Sequence, residues 1–182
     1  MNGESMAGYN AIEWQFYPKS SALPDRLHLV VKEVFERNAE KISTTKGHHL
    51  SSNEILNLIK EDLSSIGFRV EGGKRAEEKI SMPVLFGKNG NLEKKYDVDA
   101  YDPNSRTVVE IEAGRGYTNN QFLKDFFEAL VMIGIDYLII AVRLRYGKKE
   151  HKDFEEINKF FDALYVSGRV ALPLKGLLVI GY

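Results

Sequence analysis

The sequence contains no cysteine. This absence excludes disulfide bonds, cysteine-based zinc sites and thiol nucleophiles, and it is typical of a protein in the reducing cytosol. No stretch approaches the roughly 18 consecutive apolar residues that a membrane-spanning helix needs. Residues 1–15 also lack the basic start and apolar stretch of a secretory signal. We therefore expect a cytoplasmic protein with no membrane partner.

The chain also lacks an excess of either charge, with 25 Lys and Arg against 26 Asp and Glu. Proteins that bind nucleic acid through bulk electrostatics are usually strongly basic, so any such contact must here come from a local patch. The length of 182 residues and the 43% hydrophobic content fit one ordinary globular domain. We expect that domain to span 1–182, with 1–23 as an N-terminal arm.

Hydrophobic periodicity predicts the order of the secondary-structure elements. Helical spacing is found at 25–42, 52–66, 118–133 and 152–166, and strand patterns at 68–71, 82–86, 93–101, 106–113, 137–144 and 176–182. The strand–helix–strand order from 106 to 144 predicts two parallel strands, whereas the short turns before it predict antiparallel pairing. The sequence therefore predicts an α/β fold, a mixed β-sheet flanked by helices on both faces.

Four carboxylates stand at every second position of two neighbouring strand patterns. Asp97 and Asp99 precede a turn, and Glu110 and Glu112 follow it. Because side chains alternate between the two faces of a strand, all four are expected on one face. The pattern predicts either a solvated polar face or a cage for a divalent cation.

The turn at 102–105 decides which of these acids face one another. If Asp102 pairs with Ser105, Asp97 lies opposite Glu110, and Asp99 lies diagonal to Glu110. Directly opposed Cβ atoms are about 5 Å apart, a separation at which like charges repel. A position well inside the sheet argues against simple solvation, because unpaired buried charge is costly. Hard oxygen ligands at this spacing suit Mg²⁺ or Mn²⁺.

The acids and the order of the elements resemble the PD-(D/E)XK nuclease superfamily over residues 51–145. The signature of that family is an Asp followed, one hairpin later, by Asp or Glu, any residue and Lys. Asp97 matches the first position, with Asp99 as its rival, and Glu110 matches the second. Glu112 stands in place of the Lys, an ending similar to that of type II restriction endonucleases of the BamHI kind. The late helix and the closing strand resemble those of the related BglII kind.

The resemblance implies a restriction-endonuclease-like fold and a homodimer that hydrolyses double-stranded DNA with Mg²⁺, or with Mn²⁺ in its place. Tyr96 departs from the Pro of the signature. The resemblance implies three catalytic residues, namely Asp97, Glu110 and Glu112. The candidate metal ligands are these three together with Asp99 and Glu61. Without the ammonium of the usual Lys, Glu112 is expected to bind metal or to act as a general base.

Basic residues near the predicted site are candidates for contacts with the DNA backbone. They are Arg115, Arg143, Arg145, Lys148 and Lys149. Contacts of this kind position a duplex without reading its sequence, and a solvated loop is the alternative. Lys124, on the polar face of the predicted helix 118–133, either replaces the missing Lys or is an ordinary surface residue.

Three functions are compatible with these features, because a fold does not determine a function. The first is a type II restriction endonuclease. The second is a non-catalytic DNA-binding or scaffolding protein on the same fold, in which Glu112 marks the loss of an active site. The third is a repair or structure-specific nuclease.

Overall fold

The computed structural model describes residues 10–73, 75–114, 117, 120–145 and 152–182. The strands are β1 (Glu13–Tyr17), β2 (Arg69–Val70), β3 (Ile80–Phe86), β4 (Leu92–Val98), β5 (Ala100–Asp102), β6 (Thr107–Glu112), β7 (Tyr137–Val142) and β8 (Gly176–Gly181). The helices are α1 (Asp25–Val30), continued by a π-helical segment Val31–Glu36, then α2 (Ala39–Ile42), α3 (Ser52–Ser65), α4 (Gln121–Val131) and α5 (Asp153–Ser167). None of the helices within these ranges is long and apolar enough to cross a membrane.

The main sheet has the strand order β1-β8-β7-β6-β5-β2. Strand β7 pairs in parallel with both β6 and β8, and the other pairs in this sheet are antiparallel. The predicted mixed sheet is confirmed, as is the parallel pairing of the two strands on either side of α4. The predicted N-terminal arm contributes β1, which forms one edge of the sheet.

The two faces of the sheet are covered by different helices. Strands β7 and β8 are apolar at nearly every position, which is typical of strands buried on both faces. Buried residues of α1, the π-helical segment and α3 pack on one face, together with Val109 and Ile111 of β6. Buried residues of α4 and α5 pack on the other face, together with Val108. Helices on both faces are therefore confirmed.

Helix α3 begins and ends where its sequence provides the local signals. Ser51 Oγ accepts a hydrogen bond from the main-chain N–H of Glu54, and the Glu54 carboxylate accepts one from the main-chain N–H of Ser51 at 2.8 Å. Such a capping box satisfies two N–H groups that the first turn leaves without helical partners. Gly67, with φ of +97°, takes the left-handed conformation that follows the last turn.

The predicted strand 93–101 is interrupted at Asp99. Within the described residues, strand β4 pairs only with β3, in a separate two-stranded sheet, whereas β5 pairs with β2 and β6 in the main sheet. Within the hairpin of β3 and β4, Asp97 is paired with Ser81. The prediction of one continuous strand was wrong, because the chain passes from one sheet to the other at this residue.

The turn between β5 and β6 is wider than predicted. Asp102 pairs with Thr107 and not with Ser105. The Asp102 carboxylate is fully buried and accepts hydrogen bonds from Arg26 Nε (2.8 Å), Asn104 N (3.0 Å) and Ser105 Oγ (2.6 Å). Because these bonds place Asn104 and Ser105 inside the turn, pairing begins two residues later than predicted. The register shift changes which acid faces Glu110.

Candidate functional site, an acidic cluster beside helix α4

Strand β6 presents two glutamates to the face that α4 covers. Glu110 and Glu112 alternate with Val109 and Ile111, which pack into the core of the opposite face. Strand β6 lies between β5 and β7, well inside the main sheet. The predicted placement of both glutamates on one face is therefore confirmed, and so is their interior position.

Asp99 lies at the junction of β4 and β5. Hydrogen bonds to its side chain and to its main-chain carbonyl group hold it beside these glutamates. Its Oδ2 accepts a hydrogen bond from the main-chain N–H of Ile111 at 2.8 Å. Its carbonyl oxygen accepts one from the main-chain N–H of Glu71 at 2.8 Å. Since Ala100 pairs with Val109, the next step along the two strands brings Asp99 level with Glu110. Asp99 thus occupies the place that the sequence predicted for Asp97.

Burial and mutual repulsion raise the pKa values of these acids. Burial raises the pKa of Asp99 to about 6, although the hydrogen bond from Ile111 opposes this effect. The pKa of Glu110 lies well above its ordinary range, first because of burial and then because of the charges of Asp99 and Asp125. Desolvation favours the neutral form of a carboxyl group, and neighbouring negative charges act in the same direction.

Asp125 is a fourth acid that the sequence reasoning missed. It lies on α4, is only 4% exposed, and accepts a hydrogen bond on Oδ1 from Gln121 Nε2 at 3.3 Å. Its Oδ2 is buried and has no hydrogen-bond donor among the described residues. The signal was available, because Asp125 falls within the apolar stripe that includes Phe122 and Phe126. A charged residue at a position that helical periodicity assigns to the core is a candidate for function.

Glu112 and Asp125 form a pair of carboxyl groups. Burial, the charge of Asp125 and a hydrogen bond with Asp125 together raise the pKa of Glu112 to about 8. Burial also raises the pKa of Asp125, whereas the hydrogen bond with Glu112 lowers it. In the absence of a cation, these shifts favour one bound proton in the pair at neutral pH.

Lys124 lies close to the acidic cluster, which consists of Asp99, Glu110, Glu112 and Asp125. Its Nζ is 3.7 Å from Asp125 Oδ1 and 3.3 Å from Glu128 Oε1. Burial lowers the pKa of Lys124, but the charges of Asp125, Glu128 and Glu110 outweigh it and raise the pKa overall. Because its side chain is 57% exposed, the structure is compatible with both alternatives for this residue, a role at the site and an ordinary surface position.

Two candidate ligands lie away from the cluster. Asp97 is exposed on β4, and its Oδ1 accepts a hydrogen bond from Ser81 Oγ at 2.6 Å. The break at Asp99 separates it from β6, so the predicted pairing of Asp97 with Glu110 was wrong. Glu61 is exposed on α3, whose buried residues pack on the opposite face of the sheet. The structure therefore brings together Asp99, Glu110 and Glu112 from the predicted set.

The structure describes two of the five candidate DNA-binding residues. Arg143 is 6% exposed, and its guanidinium donates to the carbonyl oxygen of Leu50 and contacts Tyr182. A guanidinium buried in this way is poorly placed for direct contact with a DNA backbone. Arg145 is half-buried, and its main-chain N–H donates to Thr44 Oγ1 at 3.2 Å. The remaining three, Arg115, Lys148 and Lys149, lie outside the described residues.

The residues of the acidic cluster fit a hard divalent cation by donor chemistry. They offer carboxylate oxygens, and Oδ2 of Asp125 is buried with no donor in the described ranges. No three Asp, Glu or His side chains in those ranges already converge as a metal-binding group. Mg²⁺ is usually held by one or two carboxylates, with water completing its coordination, so a cage of three is not required.

Comparisons of the chain with models of protein families, with curated proteins and with solved structures found no match. The chemistry of the acidic cluster therefore rests on its own residues and their geometry.

Proposed function

We propose that the protein is a metal-dependent endonuclease that hydrolyses phosphodiester bonds of double-stranded DNA. In its most concrete form it is a type II restriction endonuclease that acts as a homodimer with Mg²⁺, or with Mn²⁺ in its place. The observation that carries the proposal is that Asp99 lies level with Glu110 and is bonded to the main chain between Glu110 and Glu112, on an interior strand of a mixed sheet.

The electrostatics of the acidic cluster support this proposal. Asp99, Glu110 and Glu112 all have raised pKa values because of burial, and each is close to further negative charge. Such an arrangement destabilises the folded chain at neutral pH. Strongly perturbed carboxyl groups are typical of functional sites, and a divalent cation would offset their repulsion.

The order of the elements supports a restriction-endonuclease-like fold. The antiparallel pair β5 and β6 carries the acids, and α4 then leads to the parallel strand β7. This is the order that the resemblance to the PD-(D/E)XK nucleases implies. Asp99 takes the first acidic position in that assignment, and Glu110 takes the second.

Each residue of the cluster has a different role in the proposed reaction. A bound divalent cation supplies positive charge that offsets the negative charge developing on the scissile phosphate. Asp99 and Glu110 bind that cation, with Asp99 oriented by the N–H of Ile111. Glu112 is the proposed general base, and it would accept a proton from the attacking water after the charge of the cation has favoured loss of its own proton. The ammonium group of Lys124 supplies further positive charge beside the cluster.

One observation favours a second function, a non-catalytic DNA-binding or scaffolding protein. Where the signature has a Lys, Glu112 is paired with another carboxyl group, that of Asp125. A pair that only shares a proton would fill the site and leave no catalytic base. A repair or structure-specific nuclease would use the same residues as a restriction enzyme and would differ only in its DNA substrate.

The test is a cleavage assay on plasmid, phage and branched DNA with Mg²⁺ or Mn²⁺. We expect discrete metal-dependent fragments from the wild type, their loss in Asp99→Asn and Glu110→Gln, and their retention in the matched control Asp97→Asn. Cleavage by Glu110→Gln would contradict the proposed site. DNA binding without cleavage would favour the non-catalytic function, and cleavage of branched DNA alone would favour a structure-specific nuclease.

A further inference from the structure

Glu71 directly follows β2 and lies level with Asp99. Val70, the last residue of β2, pairs with Ala100, so the next step along the two strands brings Glu71 beside Asp99. The main-chain N–H of Glu71 donates to the Asp99 carbonyl oxygen at 2.8 Å. The Glu71 side chain is only 13% exposed, and a carboxylate in such a position needs a positive partner.

Two ammonium groups converge on Glu71. Lys79 Nζ lies 2.5 Å from Glu71 Oε1, and Lys60 Nζ donates to the Glu71 carbonyl oxygen at 3.2 Å. Lys79 also lies level with Asp99, because the first residue of β3 pairs with the last residue of β4. Neither lysine is sealed in the core, since the Lys79 side chain is 27% exposed and Lys60 is half-buried. These three residues carry two positive charges and one negative charge beside Asp99.

A cleft of about 220 Å³ opens between α3 and the loop after β2, on the side of Glu71. It is lined by Asn53, Leu56, Asn57, Glu71, Gly72 and Gly73. Asn53, Asn57 and Lys60 recur at positions i, i+4 and i+7 of α3, so they share one face of the helix. Neutral and cationic hydrogen-bond donors therefore follow one another along this face.

The chemistry of these donors suits the phosphate groups of a nucleic-acid strand. Ammonium and amide groups are common donors to phosphate oxygens, and an ammonium group makes charge-assisted bonds to them. The face of α3 from Asn53 to Lys60 is about 10 Å long, which matches the axial length of about three nucleotides of one strand. Because Lys79 lies level with Asp99, the phosphates next to one bound at the acidic cluster come within reach of these donors.

We propose that Lys79 and Lys60 bind the phosphate groups next to the scissile one on the same DNA strand. The inference rests on the proposed function, in which the acidic cluster binds the scissile phosphate through a cation. Each ammonium group has three N–H donors, so one can remain on Glu71 while another bonds a phosphate oxygen. Glu71 thus holds the two lysines in position, and the lysines position the strand without taking part in proton transfer.

The test is the salt dependence of DNA binding, measured from the fluorescence anisotropy of a labelled duplex at a fixed Ca²⁺ concentration. Ca²⁺ is a hard cation that takes the same oxygen ligands as Mg²⁺. The slope of log K against log salt should become shallower by about 0.9 in Lys79→Gln and in Lys60→Gln, and by about 1.8 in the double variant. Lys79→Arg keeps the charge and should keep the slope of the wild type.

The matched control is Lys175→Gln. Lys175 is also ion-paired, with its Nζ 3.0 Å from Asp136 Oδ2, but it precedes β8 at the end of the parallel strands that is opposite to Glu112. Its loss should leave the slope unchanged. Folding of each variant is checked by its circular dichroism spectrum and its Tm. Lys60→Gln tests the inference even if Lys79→Gln unfolds, because Lys60 bonds only the Glu71 carbonyl oxygen in the described structure.

Glu71→Gln separates a contact with DNA from a purely structural ion pair. This variant breaks the ion pair but keeps both ammonium groups, so its slope should equal that of the wild type. If Lys79 only stabilised the fold through Glu71, Lys79→Gln and Glu71→Gln would weaken DNA binding equally and neither would change the slope. That result would overturn the inference, and a folded variant of either lysine with the wild-type slope would overturn the contact of that lysine.

Cleavage assays with Mg²⁺ on the same preparations distinguish this inference from the proposed function. A wild type that cleaves DNA, with lysine variants that keep its slope, refutes the phosphate contacts and leaves the nuclease proposal intact. A wild type that shows the expected losses of slope but cleaves no DNA supports the contacts and contradicts the nuclease. A wild type that binds no DNA contradicts both.

Discussion

The carboxylate of Asp99 accepts a hydrogen bond from the main-chain N–H of Ile111, with 2.8 Å between Oδ2 and N. Ile111 lies between Glu110 and Glu112 on β6, so this one bond fixes Asp99 beside both glutamates. The acid that lies beside the two glutamates is therefore selected by main-chain geometry, and Asp97, two residues earlier, lies outside the cluster.

Replacing Asp99 by Asn should weaken cation binding far more than replacing Asp97 by Asn. Asp99 lies in the buried cluster, whereas Asp97 is exposed and bonded to Ser81. We expect the Mn²⁺ affinity at the Asp99 and Glu110 position to fall by at least about 10- to 100-fold in Asp99→Asn, the loss seen for weaker perturbations of metal sites. Isothermal titration calorimetry of both variants measures the difference, and equal affinities would contradict the assignment of Asp99.

The stability of the metal-free protein should decrease as the pH rises from about 5 to 8. The pKa of Glu112 is about 8 in the folded protein, against an ordinary value of 4.5. Between these values the folded state binds more protons than the unfolded state, so the free energy of unfolding falls with pH. Asp99 acts in the same direction up to about pH 6. Urea unfolding in EDTA should show this slope, and Glu112→Gln should flatten it near pH 7. An unchanged slope would rule out Glu112 as its source, and Asp97→Asn is the control.

Cation binding at neutral pH should release protons. At pH 7 the Glu112 carboxyl group, with a pKa of about 8, is mostly protonated, and the charge of a nearby dication favours its ionised form. Because Glu110, a proposed ligand, also has a raised pKa and must ionise, we expect release of at least about one proton per chain and an affinity that rises from pH 6 to 8. Calorimetry in buffers of different ionisation enthalpy counts the protons. Glu112→Gln should release fewer, and identical proton counts in the two proteins would contradict the assignment.

The Asp102→Ala substitution should destabilise the fold by about 3 kcal/mol, because it leaves a partly buried guanidinium without its charged partner. Asp102 is fully buried and bonded to Arg26, Asn104 and Ser105. Ser105→Ala removes only one of these bonds and should cost about 1 kcal/mol. Urea denaturation of both variants tests the ordering. A smaller loss for Asp102→Ala than for Ser105→Ala would show that the turn does not depend on the carboxylate.

Strong periodicity made most of the elements predictable. The central strand β7 and the helices α3 and α4 each carry a clear apolar pattern, so the parallel unit followed from the sequence. The register between β5 and β6 could not be predicted in this way, because it depends on the bond between Asp102 and Arg26, which are 76 residues apart in the chain. The burial of Arg143 could not be predicted for a similar reason, because the carbonyl group that it contacts belongs to Leu50, 93 residues away in the chain.

The role of Asp125 could have been recognised from the sequence. Helical spacing places it with Phe122 and Phe126 on the buried face of α4, where a charged residue is unusual. The contact between Asp125 and Glu112 could not be predicted, because it depends on how α4 packs against β6. Periodicity identifies which face of an element is buried, but it does not identify the partner on that face.

Because of the break between the two sheets, Asp99 and Glu110 are reached by different parts of the fold. Glu110 is held between β5 and β7, whereas Asp99 follows a hairpin that is paired with no strand of the main sheet in the described part of the chain. The hairpin carries half-exposed apolar side chains at Leu85, Phe86 and Leu92, and its Pro83 carbonyl accepts a hydrogen bond from Ile133 N after α4. Asp99 is nevertheless anchored by its bonds to Ile111 N and Glu71 N. The position of this acid is thus set by the main sheet, although the strand that leads to it belongs to the other sheet.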